Sequence, residues 1–503
     1  MANPSSIGLY LLLTGFIVSC HVESTTPLYF GQGAMIGEVT DHSSIFQTRL
    51  TKTDTIIGGD IPGAEGWIRF SWWPTNYPGQ RNSSPWLAAV PTHDFTVKYQ
   101  AHQLLNNTIY QYHAFACLDT LSKDDNKIRG FFRTNPGDLV QDSLSFVVVT
   151  GMNYYFFHYG KYDSKAAYVG PDKNLGYPAL ASIANLQPDY FIGTGDNVYF
   201  DHPTTKNYSS AINEGKNPSP GMFTGKEVIS ERGMRRKYHL QFCQPRFRKL
   251  FASVGTYWEK DDHDYRVNDS DPYIDFPISH ELGIKNFREQ LPVVDPSKSE
   301  AETYRTHRLN RDVQLWFLEG RDFRSANESP DGPGKTIWGD KQKVWLQETL
   351  LSSDAKYKLI ISPTPMVGPD DARKRDNHVN PRGFRKEGEA FFEWLSGNKF
   401  STDRLFIICG DRHWQYHAIH PSGYQEFSCG ALVDANARSG RLAGDSLSTD
   451  PDGIIRQKYI QGSEDQASGG FLHVKSSLLE LGSGLIFDFY DEQGALLYEF
   501  TAD

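Results

Sequence analysis

The sequence predicts a two-part fold, an all-β domain over residues 26–138 followed by an α/β layered domain over residues 143–503. Up to about residue 135, short segments alternate apolar and polar side chains between Gly, Pro and Asn, which is typical of half-buried strands. From about residue 143, apolar runs alternate with helical segments, which indicates a layered α/β domain. The chain of 503 residues is long enough to bury two or more cores.

The first domain is predicted to be a fibronectin/Ig-like β-sandwich. Alternating strands are clearest at residues 66–72 and 95–99. Residues 104–112, followed by His113-Ala114-Phe115, resemble the tyrosine corner and next strand of a fibronectin-type sandwich. A last strand at 130–134 precedes the turn-rich segment 135–138. No chemistry is visible in this domain, so we expect it to pack against the second domain or shape its entrance.

The N-terminal residues 1–20 are predicted to be a signal peptide. The apolar run 7–18 has the length of a signal core and is too short to span a bilayer. Ser19-Cys20 at its end resembles the lipobox of bacterial lipoproteins, in which the cysteine carries lipid; an ordinary cleaved secretory signal is the alternative. The protein is therefore expected to be exported, as a periplasmic protein, an outer-membrane-attached lipoprotein or a secreted protein.

The composition limits the partners. A net charge of −10 and a pI near 5.9, with no basic block, argue against a nucleic-acid partner. Membrane contact is expected only through lipid on Cys20. An acidic protein that binds anions needs a local positive centre. The other cysteines are too few for a disulfide scaffold, and Cys409 and Cys429 are either buried thiols or a pair.

The second domain is predicted from its apolar runs and helical segments. Buried strands are expected at residues 144–150, 190–193, 356–362 and 404–409, with closing strands at 471–474 and 484–490. Helices are expected to end at 183–186 and to cover the basic segment 234–251 and the amphipathic segments 301–316 and 342–351.

Three polar clusters follow apolar strands, at residues 196–201, 261–264 and 409–413, with Asn268 close to the second. Open α/β sheets bind ligands at such strand ends. Crowded carboxylates sheltered from water repel one another and need cations between them. Each cluster alone is also compatible with an acidic turn or a hydrogen-bonded pair, but together they favour a site for two or more metal ions with oxygen and nitrogen ligands.

These clusters resemble a known family. Residues 195–199 (Gly-Asp-Asn-Val-Tyr), 261–264 (Asp-Asp-His-Asp) and 410–413 (Gly-Asp-Arg-His) are similar in order and spacing to motifs of the PhoD-like alkaline phosphatases, which belong to the calcineurin-like metallophosphatases. Residues 318–324 resemble the family's Leu-Asp-Thr-Arg-x-Tyr-Arg, and 342–346 its Gln-x-x-Trp-Leu. The resemblance implies a metallophosphatase domain of two β-sheets flanked by helices, behind an N-terminal sandwich.

The resemblance also implies a ligand set. Asp196 matches the carboxylate shared between metals, and Tyr199 the phenolate ligand of ferric iron. Asp262 stands where metallophosphatases use Asn or Asp, and Asp411 and His413 match the closing ligands. Iron and calcium are the metals that the family implies.

The resemblance assigns further roles and shows one departure. His263 matches the second-sphere histidine that protonates the leaving group. Arg321 as a catalytic residue and Arg324 as a substrate-binding residue are predicted, with a salt-bridging role as the open alternative. The family's first strand ends in Ser-Cys-Gln, whose cysteine ligates iron, whereas this strand ends at residues 150–153 without a cysteine. Asn153 is predicted to supply an amide oxygen instead, or the iron position is changed.

The predicted function is an exported metal-dependent phosphatase that hydrolyses phosphate esters by attack of a metal-activated hydroxide, with His263 as the proton donor. Two alternatives remain, a phosphodiesterase or phospholipase using the same site, and a non-catalytic surface binding protein with a degenerate site. Loops 203–233 and 367–388 are expected to flank the entrance. Within the second loop, residues 376–378 are expected to be exposed polar residues, with substrate contact as the alternative.

Overall fold

A computed structural model describes residues 27–120, 126–140, 142–161, 165–203, 228–298, 300–461, 467–479 and 482–502. The predicted signal peptide with Cys20 lies outside the described residues, as does most of the predicted loop 203–233. Within the described ranges, no helix combines the length and apolar character needed to cross a membrane.

The chain order of the elements alternates strands with short helices after residue 144. The strands are β1 (Ala34–Gly37), β2 (Ser44–Arg49), β3 (Gly66–Pro74), β4 (Asn82–Ser83), β5 (Leu87–Ala89), β6 (Thr96–Ala101), β7 (Ile109–Cys117), β8 (Asn126–Arg133), β9 (Leu144–Val149), β10 (Tyr190–Thr194), β11 (Gly255–Glu259), β12 (Arg305–Arg308), β13 (Val313–Phe317), β14 (Tyr357–Ser362), β15 (Leu405–Cys409), β16 (Gln415–Ile419), β17 (Gln425–Cys429), β18 (Arg456–Ile460), β19 (Gly470–Leu479), β20 (Gly482–Asp491) and β21 (Leu496–Ala502). The helices are α1 (Tyr154–Tyr159), α2 (Pro178–Leu186), α3 (Glu231–Phe242), α4 (Pro245–Phe251), α5 (His280–Gln290), α6 (Gly339–Ser352) and α7 (Arg385–Gly397).

Two large sheets face each other, and most of their strands come from the second part of the chain. One has the order β21-β20-β19-β9-β10-β11-β1-β2-β6, and the other β12-β13-β14-β15-β17-β16-β18. Val148 and Ile192 of the first sheet share one buried apolar cluster with Leu359 and Ile408 of the second. Strands β9, β10 and β11 of the first sheet run parallel, as do β13, β14, β15 and β17 of the second. Within each sheet, the carboxyl ends of these strands therefore lie at one edge.

The outer faces of both sheets are covered by helices. Leu180 of α2 and Phe247 of α4 pack with Phe191 on the first sheet. Leu346 of α6 and Leu395 of α7 form a separate buried cluster on the second. The predicted architecture of two sheets flanked by helices is therefore confirmed.

The N-terminal strands belong to two different sheets. Strands β3, β4, β5, β7 and β8 form a separate sheet, whereas β1, β2 and β6 extend the first large sheet through parallel pairing of β1 with β11. Phe46 of β2 lies 5.4–5.6 Å from the rings of Trp72 and Tyr112, which closes the predicted sandwich. The Tyr110 hydroxyl accepts the N–H of Leu105 at 2.8 Å, as a tyrosine corner does. The predicted domain boundary near residue 140 therefore does not separate the sheets, because strands from both sides of it pair in the first large sheet.

The predicted amphipathic helix at 301–316 is wrong. The segment forms the hairpin of β12 and β13, joined by a turn in which Asn310 Oδ1 accepts the N–H groups of Asp312 and Val313. Its apolar side chains Leu315 and Phe317 lie in the core between the sheets, where parallel pairing with β14 satisfies the backbone.

Two other expectations are resolved by the structure. The basic segment 234–251 forms two helices because Pro245 opens α4 and cannot donate a backbone hydrogen bond to continue α3. Cys409 and Cys429 are buried free thiols rather than a pair.

Candidate metal centre

The first two polar clusters are brought together by backbone shape at the ends of β10 and β11. Gly195 has φ +85°, and a Cβ there would lie 2.4 Å from Asp261 Cβ, so only glycine fits this approach. Asp196 and Asp411 both adopt φ 54°. Non-glycine residues rarely take this left-handed conformation, which is typical of functional sites.

Asp196 lies at the centre of the buried cluster. Its Oδ2 accepts the hydroxyl hydrogen of Tyr199 at 2.8 Å and lies 3.0 Å from His413 Nε2. The Tyr199 hydroxyl is also 3.2 Å from His413 Nε2 and accepts an amide hydrogen of Asn436. The other oxygen, Asp196 Oδ1, is buried without a hydrogen-bond partner. A buried carboxylate oxygen without a partner is costly unless a cation binds it.

Asp262 and His263 close the cluster from β11. Ligand atoms of Asp196, Asp262 and His263 all lie within 4.8 Å of one another. The Asp262 carboxylate is fixed by the N–H groups of His263 at 2.9 Å and Asp269 at 2.6 Å. Burial raises the pKa of Asp196 well above its usual range; the charge of His263 opposes this and that of Asp262 adds to it. A bound cation would keep Asp196 ionised, so the residues fit a metal ion.

The ring of His263 is held by Asp201. Nδ1 of His263 lies 2.7 and 2.9 Å from the two oxygens of Asp201, and Asp201 also accepts the N–H of Asn268 at 2.9 Å. Burial raises the pKa of Asp201, but the charges of His263 and His202 outweigh this and lower it to about 2. Asp201 therefore stays ionised. Because Asp201 occupies Nδ1 of His263, Nε2 is the ring nitrogen from which His263 can donate a proton.

Asp411 enters the cluster from the second sheet. It follows Gly410, where a Cβ would lie 2.5 Å from Thr194 O of β10, so the backbone here packs closely against the first sheet. The charge of Asp411 contributes to raising the pKa of Asp196. The guanidinium of Arg412 donates to Asp411 and to Asp370. Asp411 is thus near the other predicted ligands, and the guanidinium of Arg412 binds one of its carboxylate oxygens.

Arg321 is completely buried and forms ion pairs. Its Nε donates to Asp261 Oδ1 at 2.7 Å, and its two terminal nitrogens donate to Ser270 O at 2.8 Å and Asp376 Oδ2 at 3.2 Å. All three nitrogens are therefore engaged. This geometry favours the salt-bridging alternative over direct contact with substrate.

Arg324 and Asn153 use most of their polar atoms in contacts with other groups of the protein. Arg324 donates from Nε to a carbonyl of its own loop and from a second nitrogen to Asn327 Oδ1 at 3.2 Å, while its third nitrogen is buried without a partner. Asn153 Oδ1 caps α1 by accepting the N–H of Phe156, and its Nδ2 lies 2.6 Å from His202 Nδ1. In this arrangement, the amide oxygen of Asn153 serves the helix.

The expectation that residues 376–378 form an exposed loop is wrong. All three are buried. Asp376 joins Asp262 and Asp269 in a further group whose ligand atoms lie within 4.8 Å of one another, and the Lys374 ammonium pairs with Asp269. The ionic partners are far apart in sequence, so local composition alone could not reveal this burial.

The fold and the site together define a metal-dependent hydrolase of the metallophosphatase type, with carboxylate, phenol and imidazole groups at the strand ends of two facing sheets. A family model described as PhoD-like phosphatase matches residues 146–458, and the chain belongs to this family of phosphoric ester hydrolases. A search of curated proteins gives no match.

Solved structures confirm the fold. The chain is similar to a structure of PhoD, with a TM-score of 0.69 and 16% identity over 95% of this chain and 90% of that one. It is also similar to the purple acid phosphatase PPD1 from yellow lupin (Lupinus luteus) seeds, with a TM-score of 0.59 and 11% identity over 95% of this chain and 74% of that one.

Proposed function

We propose that the protein is an exported phosphatase whose metal ions are held by Asp196, Tyr199, Asp262, Asp411 and His413. The observation that carries this proposal is the buried carboxylate of Asp196, which has one oxygen shared by Tyr199 and His413 and the other without a partner. Asp262 presents a further oxygen within 4.8 Å. Such a donor set suits hard or borderline cations.

The chain's own residues supply the proton for the leaving group. Bound metal ions lower the pKa of water toward neutrality and neutralise charge on a phosphate. Asp201 fixes Nδ1 of His263, so its Nε2 is the atom that donates to the departing oxygen. Arg321 supports the site by pairing with Asp261 and Asp376 rather than by touching the phosphate.

Iron and calcium are the proposed metals. The Tyr199 phenol is the ligand that the family resemblance associates with ferric iron, and the carboxylates suit calcium. This chain lacks the family's first-strand cysteine, and Asn153 uses its amide oxygen to cap α1 and its amide nitrogen to contact His202. The proposed set of iron ligands therefore differs from that of the family. Elemental analysis of the purified protein would identify the metals; calcium without iron would overturn the iron assignment.

Separate Asp411→Ala and His413→Ala substitutions test the ligand assignment. Each is expected to abolish most hydrolysis of 4-nitrophenyl phosphate and to lower the bound metal content. Arg373→Ala is the matched control, because Arg373 is exposed and, in the part of the chain that the structure describes, its one ionic partner is Asp371 in its own turn. Undiminished turnover in both site variants would contradict the proposal. Bis-aryl phosphate in the same assay would separate diesterase from monoesterase activity.

Export is proposed from the apolar run at residues 7–18 and the following Ser19-Cys20. Mass spectrometry of the mature N-terminus, with fractionation of the producing cells, tests it. A chain that begins at lipid-modified Cys20 is expected for a lipoprotein and an unmodified cleaved terminus for a secreted one. An intact Met1 in the cytosolic fraction would contradict export.

A further inference from the structure

The sheet formed by β3, β4, β5, β7 and β8 has a positively charged outer face, although the protein as a whole is acidic. Its strands contain no Asp or Glu, although the whole chain has a net charge of −10. Cross-strand register places Phe115 between Arg69 and Lys127, and His113 beside Arg129. These side chains alternate with the buried residues of the sandwich core, so they lie on one face. We call this set, together with Arg81 on the adjoining segment, the cationic face.

Two guanidinium groups of the cationic face, those of Arg69 and Arg81, are held in place by aromatic rings. Arg69 Cζ lies 4.6 Å from the ring centre of Trp86 and 5.7 Å from that of Phe115. Arg81 Cζ lies 3.9 Å from the ring centre of Trp73. Stacking orders the guanidinium plane and leaves its N–H edge for an anion. Among the described residues, neither arginine forms a salt bridge, and Arg69 Nε is buried without a partner.

The positive charges are close enough to act together. Adjacent strands are about 4.8 Å apart, so Arg69 and Lys127 lie about 10 Å from each other across the sheet. Partial burial, followed by the charges of Lys127, Arg81 and Arg129, lowers the pKa of His113. Within the described ranges, Arg69, Arg81, Lys127 and Arg129 have no carboxylate partner, and such a set of cations is typical of a surface that receives an anionic ligand.

A groove of about 1030 Å³ continues from the cationic face. It runs from His113, Arg129 and Phe131 to the end of α2, where exposed Asn185 and Gln187 line it beside Asp189, whose carboxylate pairs with Arg133 at 3.1 Å. Neutral amides hydrogen-bond well to hydroxyl groups. The surface therefore offers cations for negative groups and amides for hydroxyl groups on one continuous path.

We propose that the cationic face and its groove bind an acidic polysaccharide. Charge complementarity favours an anionic chain, and the amides favour one that carries hydroxyl groups. Single-stranded nucleic acid fits less well, because its bases need free aromatic faces and the faces of Trp73, Trp86 and Phe115 are stacked against arginine. Binding here is independent of the metal centre, which lies at the strand ends of the large sheets.

Binding of the full chain to immobilised heparin, polygalacturonate, dextran and oligo(dT) tests the proposal. The two acidic glycans are expected to bind, more weakly at high salt, whereas dextran is expected not to bind. Lys127→Glu with Arg129→Glu changes two exposed side chains of edge strand β8. This double variant should weaken glycan binding by about tenfold or more while its melting temperature and aryl phosphate turnover stay unchanged.

The matched control is Arg232→Glu with Lys386→Glu, which makes the same charge change at exposed positions on other elements. Retained glycan binding in this control and loss in the β8 variant support the proposal. Arg81→Glu provides a second test if the β8 variant is less stable. Equal loss in control and β8 variant, unchanged binding in the β8 and Arg81 variants, or tighter binding of dextran or oligo(dT) than of both acidic glycans would overturn it.

Discussion

The pairing of His263 with Asp201 predicts a specific loss of proton transfer when the charge of Asp201 is removed. In Asp201→Asn, an amide of nearly the same shape replaces the carboxylate whose oxygens lie 2.7 and 2.9 Å from His263 Nδ1. A hydrogen bond to a charged group is worth about 1.5–3 kcal/mol. Since about 1.4 kcal/mol corresponds to a tenfold change in rate, kcat should fall by about 10- to 150-fold.

The leaving group of the substrate separates this role from a general structural effect. Alkyl phosphates release a basic alkoxide and depend on a proton donor more than 4-nitrophenyl phosphate does. Turnover of the alkyl ester should therefore fall further than turnover of the aryl ester, while the bound metal content stays that of the wild type.

The buried pair of Asp94 with His239, 2.5 Å apart, provides the matched control, because its other hydrogen bonds go to Asp60, Arg49 and Gln290 rather than to predicted metal ligands. Asp94→Asn removes the carboxylate charge beside His239, as Asp201→Asn removes the one beside His263, but it should leave kcat unchanged. If Asp201→Asn lowers both turnovers equally, or leaves both unchanged, the assignment of His263 as the proton donor is refuted.

Three further predictions concern stability. Burial raises the pKa of Asp94, but hydrogen bonding and charge from His239 bring it from 3.8 to about 2, so Asp94→Asn should cost about 2 kcal/mol near neutral pH. That difference should shrink as the pH falls from about 4 toward 2, and urea unfolding at several pH values would show a constant difference if the reasoning is wrong. Arg321→Met leaves Asp261 and Asp376 without their buried cation and should cost about 3–5 kcal/mol; an unchanged unfolding free energy would contradict the pairing. Metal removal by a chelator should lower the melting temperature, because ligand-free folded protein loses the binding free energy, and restored metal should reverse the change; a melting temperature unaffected by chelation would contradict this.

Much of the fold and of the site could be predicted because these features depend on patterns in short stretches of sequence. The apolar strands around residues 144–150, 190–193 and 404–409 are short and continuous, and each is followed by a polar cluster. Parallel strands bring such clusters to one edge of a sheet. The proximity of Asp196 and Asp262, which follow β10 and β11 of the first sheet, agrees with that rule. His413 follows β15 of the second sheet, and it reaches Asp196 because the two sheets face each other.

The features that could not be predicted depend on contacts distant in sequence. Residues 301–316 have a spacing compatible with a helix, but pairing of β13 with β14 and burial between the sheets override it. Loop residues 376–378 look exposed by composition, yet Asp376 meets Arg321 across 55 positions of the chain. The support of His263 by Asp201 spans 62 positions. No window of local sequence contains both partners.

Anomalous X-ray scattering from crystals of the purified protein is the measurement that tests the metal centre most directly. The account predicts anomalous peaks within coordination distance of the side chains of Asp196, Asp262 and His413, with absorption edges that identify the metals. A well-ordered site whose map contains no anomalous peak within coordination distance of these side chains, in protein that hydrolyses phosphate esters, would contradict the account.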